Sequence, residues 1–366
     1  MNNHNQCKVH VYTEWGQLEE VIFGNSLNFN LKDIDFTFRF LYENKDGRFR
    51  EKTQVYELSE QYVMERQEDL DNLQRILEDF GVVVQRPQQL REITKFRTPT
   101  FEAYMTACDS VRDPFFLIGD EIIETPPTNR KRYFENFLVR DIFMDYFRSG
   151  AKWTVAPRTT LAEEHLDFSF WQDTVYDPLN ALDNIEEKYE IAFDAANCLK
   201  FGRDIVMNVG TKNHELGAMW LQRHLGDQFR VHPVRLCDSH IDGNFLPLAP
   251  GKLLVNPRRM HEKYDLLPEP LKKWDMIMLE DRDLKFDYPS THLQIASTAG
   301  MVVNALSIDE KHVLIRDNAP LTRKALERAG FEPIPIQLRH CEIFAGGIHC
   351  ATVDVRRKED LEEYFN

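Results

Sequence analysis

Three short strings each set a reactive side chain among small residues. FDAANCLKFGRDI carries Asp194, DSHIDGNFLPLAPG carries His240 and Asp242, and FAGGIHCATVDVRR carries Cys350. A thiol becomes an activated nucleophile when an imidazole and carboxylates from elsewhere in the chain lie beside it. The strings therefore point to covalent chemistry at sulfur. Gly346 and Gly347 either allow close backbone approach or supply positive φ, and both suit a cysteine presented into a pocket. Spacing alone leaves the plainer reading open, in which these are three buried structural residues. Other motifs fail. HELG at His214 needs a second histidine four residues on, and position 218 is Ala, so the motif does not signal a zinc protease. Neither G-x-G-x-x-G nor G-x-x-x-x-G-K-[ST] occurs, so no phosphate cradle is signalled. Residues 163–165 (EEH) read as a solvated charge run, and Arg356 and Arg357 as surface residues capping a strand.

The elements that must position these residues follow one pattern. An amphipathic helix ends at or near Gly and passes at once into a short strand. DNLQRILEDFGVVVQRP is the first copy, with Leu73, Ile76, Leu77 and Phe80 as the apolar stripe, Gly81 as the stop and 82–84 as a buried strand. Gly150, Gly226 and Gly330 close three more copies, and PLKKWDMIML is a weaker fifth. Strand-rich segments precede the helices: PFFLIGDEIIET, EIAFDAANCLKFGRDIVMNVG, GKLLVNP and HVLIRD. Repetition of strands, helix and strand suggests a radial or stacked architecture, against the alternative of an ordinary α/β domain pair. The acidic, turn-rich segment 158–190 reads as a lid or long surface loop.

Composition narrows the partners. The 366 residues carry a formal net charge of −15, against the basic excess of nucleic-acid binders, but suited to a cationic small molecule. No run of about 18 apolar residues occurs, and the segment MNNHNQCKVHVY has no apolar core, so neither a membrane span nor a secretory leader is expected. The six cysteines, at 7, 108, 198, 237, 341 and 350, form no C-x-x-C pair. Free thiols in a reducing cytoplasm are the expectation.

The ordered strings resemble the amidinotransferase family, which includes glycine and bacterial inosamine-phosphate amidinotransferases. The resemblance begins at YTEWGQLEEVIFG and runs through VRDPFFLIGDEIIETP, RYFE, DYFRSGAKWTVAP, FDAAN, ELGAMWLQRHLG, SHID and LVNPRR to GGIHCATVDVRR. It covers almost the whole chain. It implies one α/β domain over residues 1–366, a pentein-like five-bladed propeller of ββαβ modules about a pseudo-fivefold axis. Asp194, His240 and Cys350 match the family's catalytic triad. The implied reaction carries the amidino group of L-arginine to an amine by a ping-pong route through amidino-Cys350, releasing L-ornithine.

The same resemblance places Asp113 and Asp242 around the guanidinium, whose five fixed donors suit carboxylates. Arg259, in NPRR where the family usually has N-P-[DS]-R, would hold the substrate α-carboxylate. Ser297 and Thr298 stand where glycine-specific enzymes carry Ser-Ser. Those enzymes read FDAAD and place Asn and Met before the catalytic histidine, whereas this chain has FDAAN, Cys237 and Ser239. Loss of the Met side chain implies an acceptor bulkier than glycine, such as an aminocyclitol phosphate or a diamino acid. The other cysteines, 108, 198 and 341, read as packing residues. No metal or organic cofactor is implied, and a homodimer is common in the family. Competing readings are an arginine deiminase-like hydrolase, a glycine amidinotransferase, and a non-catalytic binding protein on the same scaffold.

Overall fold

The computed structural model describes residues 7–37, 54–56, 58–167, 187–237, 240–280 and 301–365. Phe115–Ile118 and Glu121–Glu124 show the unit from which the chain is built. They pair antiparallel across a two-residue turn, with Ile118 opposite Glu121. The helix Asn136–Arg148 follows, and Lys152–Val155 returns parallel to Glu121–Glu124. Side chains alternate with the pleat. Phe115, Leu117 and Ile122 join Leu138, Val139, Phe143 and Tyr146 of the unit's own helix. Phe116, Ile118 and Ile123 face the other way, into Ile205, Met207, Ala218 and Leu221 of the next unit. Burial on both faces is why these strands read as unbroken apolar runs.

The plan of hairpin, helical segment and parallel third strand recurs. Cys198–Phe201, Asp204–Asn208 and Arg230–Val234 carry the helix Lys212–Leu225. Phe245–Ala249, Lys252–Val255 and Asp275–Met278 form the next sheet. Leu306–Ser307, His312–Arg316 and Glu332–Ile336 carry the helix Pro320–Arg328. The remaining sheet draws on distant parts of the chain. Gln17–Phe23 pairs antiparallel with Thr352–Lys358 and, after the helix Glu60–Asp79, parallel with Val83–Gln85. Among the described residues five three-stranded sheets share this plan, alongside two two-stranded hairpins. Shared apolar clusters link successive units and close the series. One joins Leu199, Phe245 and Val313, another joins Leu314 to Val21 and Leu73, and a third joins Val353 to Phe115.

Several expectations change in detail. PLKKWDMIML is not a helix: Leu271–Lys273 is a single 3-10 turn and Asp275–Met278 is a strand. Leu267, before Pro268, is extended, and the chain is extended again from Trp274 as it enters the strand, so only one turn fits between them. The first helix begins at Glu60 and buries Val63, Leu70, Leu73 and Leu77, while Phe80 at its C-cap is 42% exposed. Its following strand is Val83–Gln85, an edge strand whose Val83 is exposed rather than buried. The stops are as read: Gly81, Gly150, Gly226 and Gly330 all take positive φ, with empty space where a Cβ would stand. Backbone conformation, not crowding, selects glycine there. Residues 168–186 of the 158–190 segment lie outside the described residues. Among the described residues no helix is long and apolar enough to cross a membrane.

Candidate active site

The residues singled out for chemistry occupy equivalent places in successive units, in the turn that enters the first strand. Asp113 precedes Phe115–Ile118 and Asp194 caps the turn Ala195–Asn197 ahead of Cys198–Phe201. His240 and Asp242 belong to the turn ahead of Phe245–Ala249, and Cys350 precedes Thr352–Lys358. Asn304, which sequence reasoning passed over, stands in the same place before Leu306–Ser307. Backbone bonds tie these turns together. Ala195 N–H donates to Asp113 O at 2.6 Å, Arg112 N–H to Cys350 O at 3.2 Å, and Ile348 N–H to Asn304 O at 3.1 Å.

His240 forms one half of the centre. Its Nε2 lies 3.0 Å from Asp194 Oδ2 and its Nδ1 3.7 Å from Asp113 Oδ1. Thr128 Oγ1 donates to the same Asp194 oxygen at 2.9 Å, and Asn197 closes a capping box on the Asp194 backbone. Arg132 pairs with Asp113 and forks onto both oxygens of Glu135 at 3.0 and 2.9 Å. The buried Oδ1 of Asp113 has no hydrogen-bond partner.

Cys350 forms the other half. Asn304 Oδ1 accepts from the Cys350 backbone N–H at 2.9 Å, and Asn304 Nδ2 reaches both Cys350 Sγ, at 3.2 Å, and Asp242 Oδ2, at 2.8 Å. Asp242 Oδ2 also lies 3.5 Å from Sγ and 2.9 Å from His349 Nδ1. The glycines before Cys350 serve close approach, not positive φ. A Cβ on Gly346 would collide with Ser110 Oγ and touch Cys350 Cβ at 3.2 Å; one on Gly347 would lie 2.6 Å from Asn304 Oδ1. Gly347→Ala should therefore displace Asn304, which holds the thiol. We expect about a 10- to 100-fold loss of activity, from a packing cost of about 1–3 kcal/mol, with a lowered melting temperature. Steady-state kinetics beside a thermal melt would check it, and wild-type activity would mean that Asn304 does not seat Cys350.

Behind Asp242 lies a buried ionic cluster that sequence reasoning missed. His349 Nε2 lies 3.3 Å from Glu14, which also meets Arg112 at 3.2 Å and Lys200 at 2.9 Å. Asp354 joins Arg112, at 2.9 Å, to Arg357, at 3.1 Å. Arg357 is thus fully buried, not a surface cap. It also donates to the Gly16 and Ser307 carbonyls, so its charge and most of its donors are met inside the fold. Arg356 is half-buried and pairs with Glu19 and Glu20.

The remaining residues are less central. Arg259 is half-buried in the short helix Pro257–Met260, whose cap Asn256 donates to Gly243 O at 3.2 Å beside the Asp242 turn. Ser239, Ser297 and Thr298 lie outside the described residues. Cys237 Sγ reaches His240 O at 3.5 Å, whereas Cys108, Cys198 and Cys341 are buried. Residues 163–165 form an exposed 3-10 turn. Among the described residues no group of three or more His, Cys, Asp or Glu side chains could hold a metal.

Electrostatics set the resting protonation. Burial, then the nearby Asp242 and Asp113, pushes the Cys350 thiol well above its ordinary range. Burial opposes the charged form of His240, but Asp113, the Asp194 hydrogen bond and Asp242 outweigh it and raise the imidazolium to about 9. Asp194 and Asp242 are held low against the opposing effect of burial, chiefly by hydrogen bonds from His240 and His349. Burial raises Asp113 despite Arg132 and His240. At neutral pH the centre is a thiol and an imidazolium among carboxylates. A raised thiol pKa means that the thiol form dominates at pH 7 and the reactive thiolate grows as pH rises. Alkylation of Cys350 by iodoacetamide should be slow at pH 7 and should climb through pH 9 and beyond. A plateau below pH 8 would contradict this state.

No protein-family model matches the chain. It is 33% identical over 367 residues to the mitochondrial glycine amidinotransferase of Xenopus tropicalis, covering 99% of this chain and 86% of that one. It is 32% identical over 358 residues to an L-arginine:L-lysine amidinotransferase of Pseudomonas savastanoi pv. phaseolicola, covering 97% and 96%. Among solved structures, SxtG, an amidinotransferase of the saxitoxin biosynthetic pathway from Microseira wollei, aligns with a TM-score of 0.83. That alignment has 34% identity over 98% of this chain and 100% of that one.

Proposed function

The chain belongs to the amidinotransferase family, and from that membership and this site we propose that it moves the amidino group of L-arginine to a primary amine through an adduct on Cys350. The observation that carries the reading is the buried Asp113 Oδ1, which has no hydrogen-bond partner and faces His240 at 3.7 Å, with a second carboxylate, Asp242, against the thiol. Two carboxylates facing a buried nucleophile call for a planar cation with several donors, which a guanidinium is.

Entry of that cation offsets the two carboxylates that hold the thiol protonated, so the proton leaves to solvent and the thiolate forms beside its target. The sulfur attacks the guanidinium carbon and an S–C bond forms. His240, already imidazolium, donates its proton to the departing nitrogen as the C–N bond breaks, and ornithine leaves. The adduct then faces a neutral imidazole. An incoming amine attacks the same carbon and gives its proton to His240. The S–C bond breaks and the thiolate returns. Asp194 orients the ring throughout, and Arg259 serves the donor's α-carboxylate.

FDAAN and the small residues before His240 favour an acceptor bulkier than glycine, within the chemistry of aminocyclitol phosphates or diamino acids and a role in secondary metabolism. The test is arginine-dependent ornithine release across an amine panel, with mass detection of the amidinated product. Citrulline formed without any amine would replace this reading with a hydrolase.

A further inference from the structure

Six lysine and arginine side chains are buried among the described residues: Arg66, Arg112, Lys131, Lys200, Arg316 and Arg357. Five of them face a carboxylate. Arg66 meets Asp109, Arg112 meets Glu14 and Asp354, Lys200 meets Glu14, Arg316 meets Glu342, and Arg357 meets Asp354. Lys131 is the exception. Its Nζ donates to Asn30 Oδ1 at 2.7 Å and to the Lys32 carbonyl at 2.6 Å, both neutral. No carboxylate of a described residue lies within ion-pair distance. Burying an ammonium without a counter-charge is costly. Burial pulls Lys131 down to about 8, with Asp33 and Asp35 only partly opposing it.

Lys131 also stands in the wall of a pocket that shares Asp113 with the reacting centre. Thr106 and Ser110 add hydroxyl donors to that wall, and Phe29 and Phe344 give it an apolar side. Arg132, in the same wall, has its charge met by Asp113 and Glu135. Ser110 and Cys350 both flank Gly346, since a Cβ there would meet the two side chains. Among the described residues the pocket therefore offers a lysine with no carboxylate in ion-pair contact, apolar cover and a boundary close to Cys350.

We propose that this pocket anchors the acceptor by an anionic group, a carboxylate or a phosphate ester, on the same molecule whose amine attacks the adduct at Cys350. This rests on the transfer reading above. The donor's carboxylate is assigned to Arg259, on a different unit, so the two substrates are told apart by where each places its negative charge. A bound anion supplies the counter-charge that the fold withholds from Lys131.

The test preloads the enzyme with arginine, removes ornithine, and times the second step with β-alanine, O-phosphoethanolamine and propylamine. One or both anionic amines should react at least tenfold faster than propylamine at equal free-amine concentration, and the faster of the two names the anion. Inorganic phosphate should slow their step. Lys131→Met should shrink the preference at least tenfold, and should weaken the acceptor step far more than adduct formation. Equal rates for charged and neutral amines would overturn the proposal. So would a variant whose adduct formation falls as much as its acceptor step, because the pocket would then serve arginine. If Lys131→Met fails to fold, the wild-type preference and phosphate inhibition decide. If arginine forms no adduct at all, the transfer reading fails. Calorimetric titration of wild type and variant with phosphate and acetate then judges the pocket, and equal binding by both proteins overturns it.

Discussion

Cys350→Ser should lose amidino transfer by at least about ten-thousand-fold, the scale on which removal of a covalent nucleophile acts. Serine keeps the shape and can still bond Asn304 and Asp242, so the melting temperature should move little. A hydroxyl cannot ionise usefully here, since the site raises even a thiol. The companion measurement uses wild type with arginine alone, where the peptide bearing Cys350 should gain the mass of one amidino group. Undiminished transfer by the serine variant, or an adduct on another peptide, would remove Cys350 from the mechanism.

Asp242→Asn should lower kcat/KM for arginine by about 100-fold or more. One charge-assisted contact to a guanidinium is worth about 1.5–3 kcal/mol. The amide adds a cost of its own. To keep accepting from His349 and Asn304, its oxygen must take the place of Oδ2, which turns an NH2 group toward the cation. The same change should act in the opposite direction on the free thiol. Asp242 is one of the charges that raise Cys350, so its removal should increase the thiolate fraction and speed alkylation by iodoacetamide at pH 7. Slower arginine use with faster alkylation is a combination that general loss of structure does not give, because the melting temperature would report that directly. Unchanged arginine kinetics would take Asp242 out of the donor site.

The proposed trio of Asp194, His240 and Cys350 stood out in the sequence because each member sits in a compact string of small residues at a turn, and turns of this kind survive as contiguous words. The ionic cluster behind Asp242 was not. Arg112 and His349 stand beside Asp113 and Cys350, yet the bonds among Glu14, Arg112, His349 and Asp354 span 98 to 335 residues of sequence, and no local pattern pairs them. Arg357 looked like a surface cap for the same reason: its partners are Asp354 and two distant carbonyls. Asn304 was invisible because asparagine before a short strand ordinarily marks a turn. Its role emerges only from its equivalence to Asp113, Asp194, His240 and Cys350 in successive units. The expected helix in PLKKWDMIML failed because the strand Asp275–Met278 takes up most of that segment and leaves one 3-10 turn before it.

The pairing of Gln17–Phe23 with Thr352–Lys358 has a consequence for the order of events during synthesis. A nascent chain that has emerged as far as residue 340 already holds Asp113, Asp194, His240, Asp242 and Asn304. It lacks both the thiol and the strand that seats it. Its first strand waits, half-paired, until the ribosome has delivered nearly everything else. Contacts of such long sequence separation form slowly. Cys350, the proposed nucleophile, is therefore installed by the same late event that completes the first sheet. On the proposed mechanism, a chain that stops before this strand would carry the carboxylates and His240 without the thiol, so adduct formation with arginine would report that the first sheet has closed.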